Sequence, residues 1–173
     1  DKVARLLGLP YPGGPHLSRL AEEARKKNIK ANFSLPRPMV HEDNSDFSFS
    51  GLKTAVLRIV ETSSPLTEEM KLMIAREFED AAADVLVAKT LRAVETHGAR
   101  AVIVGGGVSA NKYIREQLAL ACSLPTVHCP LLFPPPQLAT DNALMIALAG
   151  YFHANQREFA EQENLVAKGN LSL

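Results

Sequence analysis

A short apolar segment that runs straight into three glycines constrains the fold of this chain more than any other feature. Residues 101–104 read Ala-Val-Ile-Val and are followed by Gly105-Gly106-Gly107. Such a run is typical of a parallel strand that is buried on both faces. A helix is predicted to begin at Ser109 and to end near Ala121, and a second short strand is predicted near residues 126–128. The order strand, glycine turn, helix and strand predicts an α/β unit.

The rest of the chain is predicted to be mainly helical. Residues 46–51 are the exception, because polar and apolar side chains alternate there, as in a strand. The stretch from Thr67 to Thr96 lacks Gly and Pro and carries apolar side chains at helical spacing, as one helix or as two with a bend, and Gly98 supplies its end. The other predicted helices cover residues 1–7, His16–Lys27 with Pro15 at its first position, Leu52–Val60, and a segment from Thr140 or Asp141 through Phe152.

Composition excludes several classes of protein. The chain has 173 residues, of which 46% are hydrophobic, so it can bury a core and is not disordered. Its 19 basic and 19 acidic residues cancel, which argues against a strongly basic nucleic-acid binder, and no apolar run is long enough for a membrane span. Cys122 and Cys129 are too few for a disulfide scaffold, so we expect reduced thiols in a cytoplasmic protein. The chain begins in a predicted helix without Met, which we interpret as a fragment or a processed product.

The glycine turn is the first candidate for chemistry. Glycines let backbone N–H groups approach an anion closely, and the start of the following helix adds partial positive charge. Asn111 is expected in the first turn of that helix, where its amide can reach a ligand. The spacing matches neither a Walker loop nor a dinucleotide fingerprint. A tight strand-to-helix turn without any ligand therefore stays open as the alternative.

Two further segments have both a structural and a functional interpretation. Asp141 follows a proline-rich loop and stands where a helix begins, so its carboxylate either caps that helix or serves as a metal ligand or a base. The segment Tyr11-Pro12-Gly13-Gly14-Pro15 is either a simple tight turn or a backbone platform for a flat ligand. The five histidines include no pair at the i,i+4 spacing of a helical two-histidine metal site.

Five segments, in this order, resemble the tRNA N6-adenosine threonylcarbamoyltransferase family, called TsaD in bacteria. Together they extend over nearly the whole chain up to about Gly150, and they resemble the bacterial branch more than the archaeal and eukaryotic one. Ala139 stands where Cys or Tyr is expected, outside the ligand positions. The segments are Asp1 to Leu9, Tyr11 to Pro15, Asp46 to Thr54, Gly105 to Asn111, and Thr140 to Ala143 with Met145 to Ala147.

The resemblance implies a helix-rich α/β fold, namely the second lobe of the actin-like, Hsp70-like (ASKHA) ATPase architecture, incomplete at its N-terminus. Family members are much longer, and their first part carries a His-x-x-x-His metal motif and a glycine-rich phosphate segment. On this basis residues 1–97 are expected to form mainly a helical insertion region. Residues 98–155 are expected to form an α/β region that faces nucleotide and metal, and residues 156–173 a loose tail.

The resemblance also implies the site and the reaction. Asp1, Gly14 and Asn111 are expected to contact an adenylate, with the glycine turn as its support. Asp141 is expected to be the third protein ligand of one divalent ion, iron or zinc, beside two histidines that this chain lacks. No residue is assigned as a catalytic nucleophile. The reaction implied is metal-assisted transfer of threonylcarbamoyl from threonylcarbamoyl-AMP to N6 of the adenosine at tRNA position 37, with release of AMP.

The family further implies tRNA as acceptor, a paralogous TsaB-type subunit, a TsaE-type ATPase and no membrane partner. We expect the 173-residue chain to be inactive alone, to lack the metal, and to expose apolar surface where a companion lobe packs. Two other functions stay open. One is a non-catalytic, actin-like nucleotide-binding assembly module. The other, less favoured, is a metal-dependent glycoprotease, which needs a metal-bound water and a nearby base.

Overall fold

Six helices and one pair of parallel strands make up the part of the chain described by a computed structural model. The described residues are 1–63, 65–124, 127, 129–140, 142–161, 163 and 166. The elements are α1 (Lys2–Leu6), α2 (Gly13–Lys26), α3 (Ser50–Thr62), α4 (Glu68–His97), β1 (Val102–Ile103), α5 (Lys112–Cys122), β2 (Leu131–Leu132) and α6 (Ala143–Asn155). Short 3₁₀ turns cover Gly107–Ala110 and Pro136–Leu138. The prediction of a helix-rich α/β fold is confirmed.

The longest helix, α4, forms as its local sequence predicts. Thr67 is its N-cap, and the Thr67 side chain accepts a hydrogen bond from the Met70 N–H at 3.2 Å. Gly98 ends the helix in the left-handed region, at φ 57°, which glycine adopts without a Cβ clash. The 30 residues between these caps form a single helix. It packs against α2 and α3, and the side chains at the centre of this core are Leu7, Leu17, Ala21, Leu52, Val56, Ile74 and Ala81.

Helix α2 begins earlier than predicted. The sequence favours His16 as its start with Pro15 at the first position, but the helix takes in Gly13 and Gly14, and Pro15 is its third residue. Proline is tolerated there because the N–H groups of the first helical turn have no partner within the helix. The segment predicted as a tight turn is therefore partly helical.

The strand predicted over residues 46–51 does not form. Residues 46–49 are irregular, and α3 takes in Ser50 and Gly51. Within the described part of the chain β1 and β2 pair only with each other, so this segment has no strand to extend. Its alternating aromatic rings, Phe47 and Phe49, instead stack with their centroids 6.4 Å apart.

Strands β1 and β2 are parallel, with Val102 opposite Leu131 and Ile103 opposite Leu132. The second strand thus lies beyond the predicted position near 126–128. Of those three residues Val127 is in a turn, and the other two lie outside the described residues. The expectation that β1 is buried on both faces is wrong, because Ile103 is 78% exposed. Only one face of the pair is covered, by a second apolar cluster around Ile114 and Leu118 of α5.

Helix α6 begins at Ala143, after the positions from which the sequence predicts it. Its N-cap is Asn142, whose side chain accepts a hydrogen bond from the Met145 N–H at 3.1 Å. None of its residues is buried, and apolar side chains such as Ile146 and Phe152 are 73% and 60% exposed. Exposed apolar surface is therefore present, as predicted. Among the described residues no helix has the length and apolar character needed to cross a membrane.

Candidate functional site

A cleft of about 810 Å³ lies between the glycine turn and the start of α6. All three glycines line it, and so do Thr140 and Asn142. A Cβ added at any of the three glycines meets no atom within 4 Å, so the backbone here stands open to a ligand. Gly106 has φ 82°, a conformation that side-chain-bearing residues rarely adopt. The sequence-predicted glycine turn thus forms one wall of a cleft.

Arg115 of α5 connects the segments that follow β1 and β2, both of which contribute residues to this cleft. Its guanidinium donates to the Ser109 carbonyl oxygen, just after the glycine turn, and to the Pro134 carbonyl oxygen at 2.6 Å. It also lies over the Phe133 ring, 4.6 Å from the centroid. Arg115 has no role in the sequence-based predictions. Its partners are 6 and 19 residues away along the chain, so only the folded structure reveals it.

Asp141, the predicted metal ligand, lies outside the described residues, but its two neighbours line the cleft. The structural alternative for Asp141 was capping of the following helix. Asn142 makes the cap of α6 instead. The described residues contain no group of three or more His, Cys, Asp or Glu side chains that could hold a metal ion. The described part of this chain therefore does not by itself provide a complete metal site.

Asn111 is the N-cap of α5 rather than a residue of its first turn. Its Oδ1 accepts a hydrogen bond from the Ile114 N–H at 2.9 Å. Its Nδ2 donates to Ser18 Oγ and to Glu79 Oε1, both at 2.8 Å. The end of the glycine turn is thereby attached to α2 through Ser18 and to α4 through Glu79.

Glu79 belongs to a buried polar cluster that the sequence analysis missed. Its side chain is only 3% exposed, and besides Asn111 it accepts hydrogen bonds from Ser18 Oγ at 2.6 Å and from Arg25 at 2.5 Å. Arg25 also pairs with Asp80 at 2.5 Å. The sequence does contain a signal for Glu79: it follows the buried Leu72 and Ala75 of α4 at the spacing of one helix face, so it occupies a core position.

The carboxylates in this cluster stabilise the positive charge of Arg25. Burial alone would lower the pKa of Arg25, but its hydrogen bonds to Glu79 and Asp80 outweigh that effect and raise the pKa above its ordinary value. Tyr113 lies beneath the Arg25 guanidinium, with 3.4 Å between the guanidinium carbon and the ring centroid. Burial and the neighbouring Asp80 carboxylate raise the pKa of Tyr113 to about 12. Both residues therefore keep their protons throughout the neutral range.

The three residues expected to contact an adenylate meet along the first turns of α2. Asp1 Oδ1 accepts a hydrogen bond from the Gly13 N–H at 2.8 Å. Gly14 is the next residue, and a Cβ there meets no atom within 4 Å. Ser18, which holds Asn111, lies one helical turn further along α2. The structure thus brings Asp1, Gly14 and Asn111 to one end of a single helix.

A parallel strand pair, a glycine turn and a helix N-terminus beside an open cleft define an α/β protein in which exposed backbone borders a candidate ligand site. A family model described as tRNA N6-adenosine threonylcarbamoyltransferase matches residues 1–148. The chain therefore belongs to this family of transferases, as its sequence motifs predict.

Curated relatives with the same name agree with this assignment. One from Desulfotalea psychrophila is 48% identical over 87% of this chain and 43% of the relative. One from Moorella thermoacetica is 44% identical over 92% of this chain and 45% of the relative. One from Chromobacterium violaceum is 47% identical over 93% of this chain and 46% of the relative. The chain spans less than half the length of these relatives.

Proposed function

We propose that this chain forms the second, actin-like lobe of an enzyme that transfers threonylcarbamoyl from threonylcarbamoyl-AMP to N6 of adenosine 37 in tRNA. The observation that carries the proposal is the hydrogen bond between Asn111 and Ser18. It connects the end of the glycine turn to α2, whose first residue, Gly13, donates to Asp1 and whose second residue is Gly14. Three residues that the family resemblance assigns to one ligand are thus neighbours, although Asn111 is 93 residues from Ser18 in sequence.

Each of these residues has a chemical role in holding the adenylate. The Asp1 carboxylate accepts hydrogen bonds from ribose hydroxyls. Gly14 lets the ligand approach the backbone of α2 closely, because no side chain intervenes. The open glycine turn offers N–H groups to the phosphate, beside the N-terminus of α5. Bound in this way, the adenylate presents its carbamoyl carbon to the acceptor.

The transfer step replaces one bond to that carbon by another. The N6 amine of the adenosine attacks the carbamoyl carbon and forms a C–N bond, and the amine loses a proton to water. The bond from the same carbon to the phosphate oxygen breaks, and AMP leaves with its negative charge. In this proposal backbone N–H groups of the glycine turn stabilise that charge, because fixed donors favour negative charge that develops beside them. No covalent intermediate on the protein is required.

The complete protein, meaning this chain joined to the part of its relatives that it does not match, is the active species in this proposal. One iron or zinc ion belongs to it, with Asp141 among its ligands. Its proposed partners are tRNA, a paralogous TsaB-type subunit and a TsaE-type ATPase, all in the cytoplasm. A non-catalytic assembly module would use the same adenylate contacts without transferring a group.

Asp141→Ala in the complete protein tests the proposal. We expect loss of both bound metal and transfer, because a carboxylate oxygen is a ligand that a divalent ion prefers over water. The measurements are metal content and formation of threonylcarbamoyladenosine on tRNA from threonylcarbamoyl-AMP.

Asn142→Ala is the matched control for Asp141→Ala. It removes the α6 cap at a cost of about 1 kcal/mol in stability and should leave the metal in place. Full transfer by the Asp141→Ala protein would contradict the ligand role. Adenylate binding without any transfer, in the unsubstituted complete protein with its partners, would favour the assembly module.

A further inference from the structure

We infer that Glu79 is a positioning residue for adenylate binding, which it serves by fixing the side-chain amide of Asn111. The inference rests on the proposed function, because it concerns the residue proposed to contact the adenylate. Glu79 lies on α4, its side chain is only 3% exposed, and its Oε1 is 2.8 Å from Asn111 Nδ2. Its effect on the ligand therefore has to pass through Asn111.

Because the Glu79 side chain is buried, both oxygens of its carboxylate need hydrogen-bond donors. At 3% exposure a carboxylate is costly unless hydrogen bonds and a positive charge compensate. Here Oε1 accepts from Ser18 and Asn111, and Oε2 accepts from Arg25. The donors come from two parts of the site: Ser18 and Arg25 lie two turns apart on α2, and Asn111 ends the glycine turn.

These bonds leave the Asn111 amide a single orientation. Both Nδ2 hydrogens have acceptors, Ser18 Oγ and Glu79 Oε1, and Oδ1 already accepts from the Ile114 N–H. If the amide were rotated by 180°, its oxygen would face the acceptors Ser18 Oγ and Glu79 Oε1, and its nitrogen would face the Ile114 N–H donor. What Asn111 has left for a ligand is the second lone pair of Oδ1. Asn111 is therefore an acceptor, suited to a hydroxyl or amine of the ligand.

A neutral replacement of Glu79 leaves the rest of the cluster paired. Arg25 keeps its ion pair with Asp80, at 2.5 Å, when the Glu79 charge is removed. Glu79→Gln therefore weakens the hold on Asn111 without leaving a buried cation unpaired. The amide introduced by this substitution has one acceptor oxygen where the carboxylate has two, so its NH₂ group faces either Asn111 and Ser18 or Arg25, all of which are donors.

The experiment compares Glu79→Gln with Glu77→Gln in the complete protein. Glu77 lies two residues earlier on α4 and is 17% exposed; it accepts hydrogen bonds from the Leu35 N–H at 3.0 Å and from Arg37 at 2.5 Å. The control thus loses a carboxylate that is also paired with an arginine and bonded to a second donor, but that is more exposed and does not touch Asn111. For Glu79→Gln we expect the KM for threonylcarbamoyl-AMP to rise by about tenfold with kcat changed less than about twofold. For Glu77→Gln we expect an unchanged KM.

Exchanging the carboxylate of Glu79 and the amide of Asn111 between the two positions distinguishes a role in positioning Asn111 from a general loss of stability. Asn111→Asp alone places two carboxylates against each other and should raise the KM at least as much as Glu79→Gln. The double variant, Asn111→Asp with Glu79→Gln, restores an amide-to-carboxylate hydrogen bond in the opposite sense, and Asp still caps α5. We expect its KM to lie below that of Asn111→Asp alone.

Solvent exchange of the Asn111 side-chain NH₂ group, measured by NMR in the same proteins, tests the positioning without reference to activity. We expect slow exchange in the unsubstituted protein and in Glu77→Gln, and fast exchange in Glu79→Gln. An unchanged exchange rate and KM in Glu79→Gln would overturn the inference while the transfer activity stands. A complete protein that transfers nothing would instead overturn the proposed function, and the exchange rates alone would then decide whether Glu79 fixes Asn111.

Discussion

Gly13 and Gly14 are adjacent in sequence, but Gly13 is closely packed and Gly14 borders open space. A Cβ at Gly13 would lie 2.3 Å from the Cβ of Ala4, which is 1% exposed and cannot move aside. A Cβ at Gly14 meets nothing within 4 Å. Gly13 is thus required for the contact between α1 and α2, whereas the open space at Gly14 is available to a ligand.

Alanine substitution at these two glycines should change stability in opposite directions. Gly13→Ala should lower the free energy of unfolding by about 1–3 kcal/mol, because overpacking exceeds the gain in helix propensity. Gly14→Ala, the matched control, should be neutral or stabilising by up to about 1 kcal/mol. Chemical denaturation of the 173-residue chain measures both. Equal effects of the two substitutions would contradict the packing role of Gly13.

Single residues also show how far local sequence predicts the site. The glycine turn and Asn111 were predicted because strand, glycines and helix start follow one another directly. Glu79 was missed although its spacing from Ala75 marks a core position. Its partners Ser18 and Asn111 are 61 and 32 residues away, and nothing local to α4 indicates them.

At the scale of elements, three helices meet through one small group of charged and aromatic side chains. Arg25 of α2 pairs with Asp80 of α4 and covers the ring of Tyr113 of α5. Loss of the Tyr113 proton would add a negative charge beside the Asp80 carboxylate, which together with burial raises the pKa of the phenol.

Stability should fall as the pH rises from about 10 to about 12. The pKa of Tyr113 is raised from 10.0 to about 12, so the folded chain holds this proton more tightly than the unfolded chain. Its contribution to stability is complete below pH 10 and is lost as the pH rises through the folded pKa. Denaturant midpoints across this pH range should fall less steeply for Tyr113→Phe than for the unsubstituted chain.

The control for the pH measurement is Tyr151→Phe, because Tyr151 is 60% exposed on α6. The denaturant midpoint of Tyr151→Phe should fall with rising pH as steeply as that of the unsubstituted chain. Burial and the nearby Cys129 also raise the pKa of Cys122, which adds a smaller alkaline loss to every variant alike. Identical curves for Tyr113→Phe and the unsubstituted chain would show that Tyr113 does not couple these helices to pH.

Elements with strong end signals were predicted better than elements without them. Thr67 and Gly98 fix the ends of α4 locally, by a side-chain cap and a left-handed backbone. The start of α2 was placed too late because Gly13 and Gly14 favour a turn, and their inclusion in the helix depends on the Asp1 carboxylate and on α1. Alternation over 46–51 predicted a strand, but a strand also needs a partner, which local sequence does not specify.

At the scale of the whole molecule, two apolar clusters share α4. One lies between α1, α2, α3 and α4, and the other lies between α4, α5 and one face of the strand pair. Helix α6 and the second face of the strands belong to neither and stay exposed. The fold class was predictable from the order of elements, but the position of β2 and the exposure of β1 depend on what packs against the sheet.

The 173-residue chain, loaded with iron or zinc, should show no transfer to tRNA. Catalytic metal sites commonly use three protein ligands, and the family resemblance assigns only Asp141 in this chain. The measurement is threonylcarbamoyladenosine formed from threonylcarbamoyl-AMP. As control, the same chain is supplied with the part of the Desulfotalea psychrophila relative that it does not match, which should produce transfer. Modified tRNA from the 173-residue chain alone would refute this prediction.

The bridging position of Arg115 limits how the cleft can change shape. One guanidinium holds both the Ser109 and the Pro134 carbonyls, so the glycine turn and the segment that follows β2 are fixed to each other. These two neighbouring segments separate only if Arg115 gives up a hydrogen bond. Helix α6 lies across the cleft from the glycine turn and has no buried residue, so it lacks that restraint. We therefore expect the cleft to change its width around a ligand by displacement of α6.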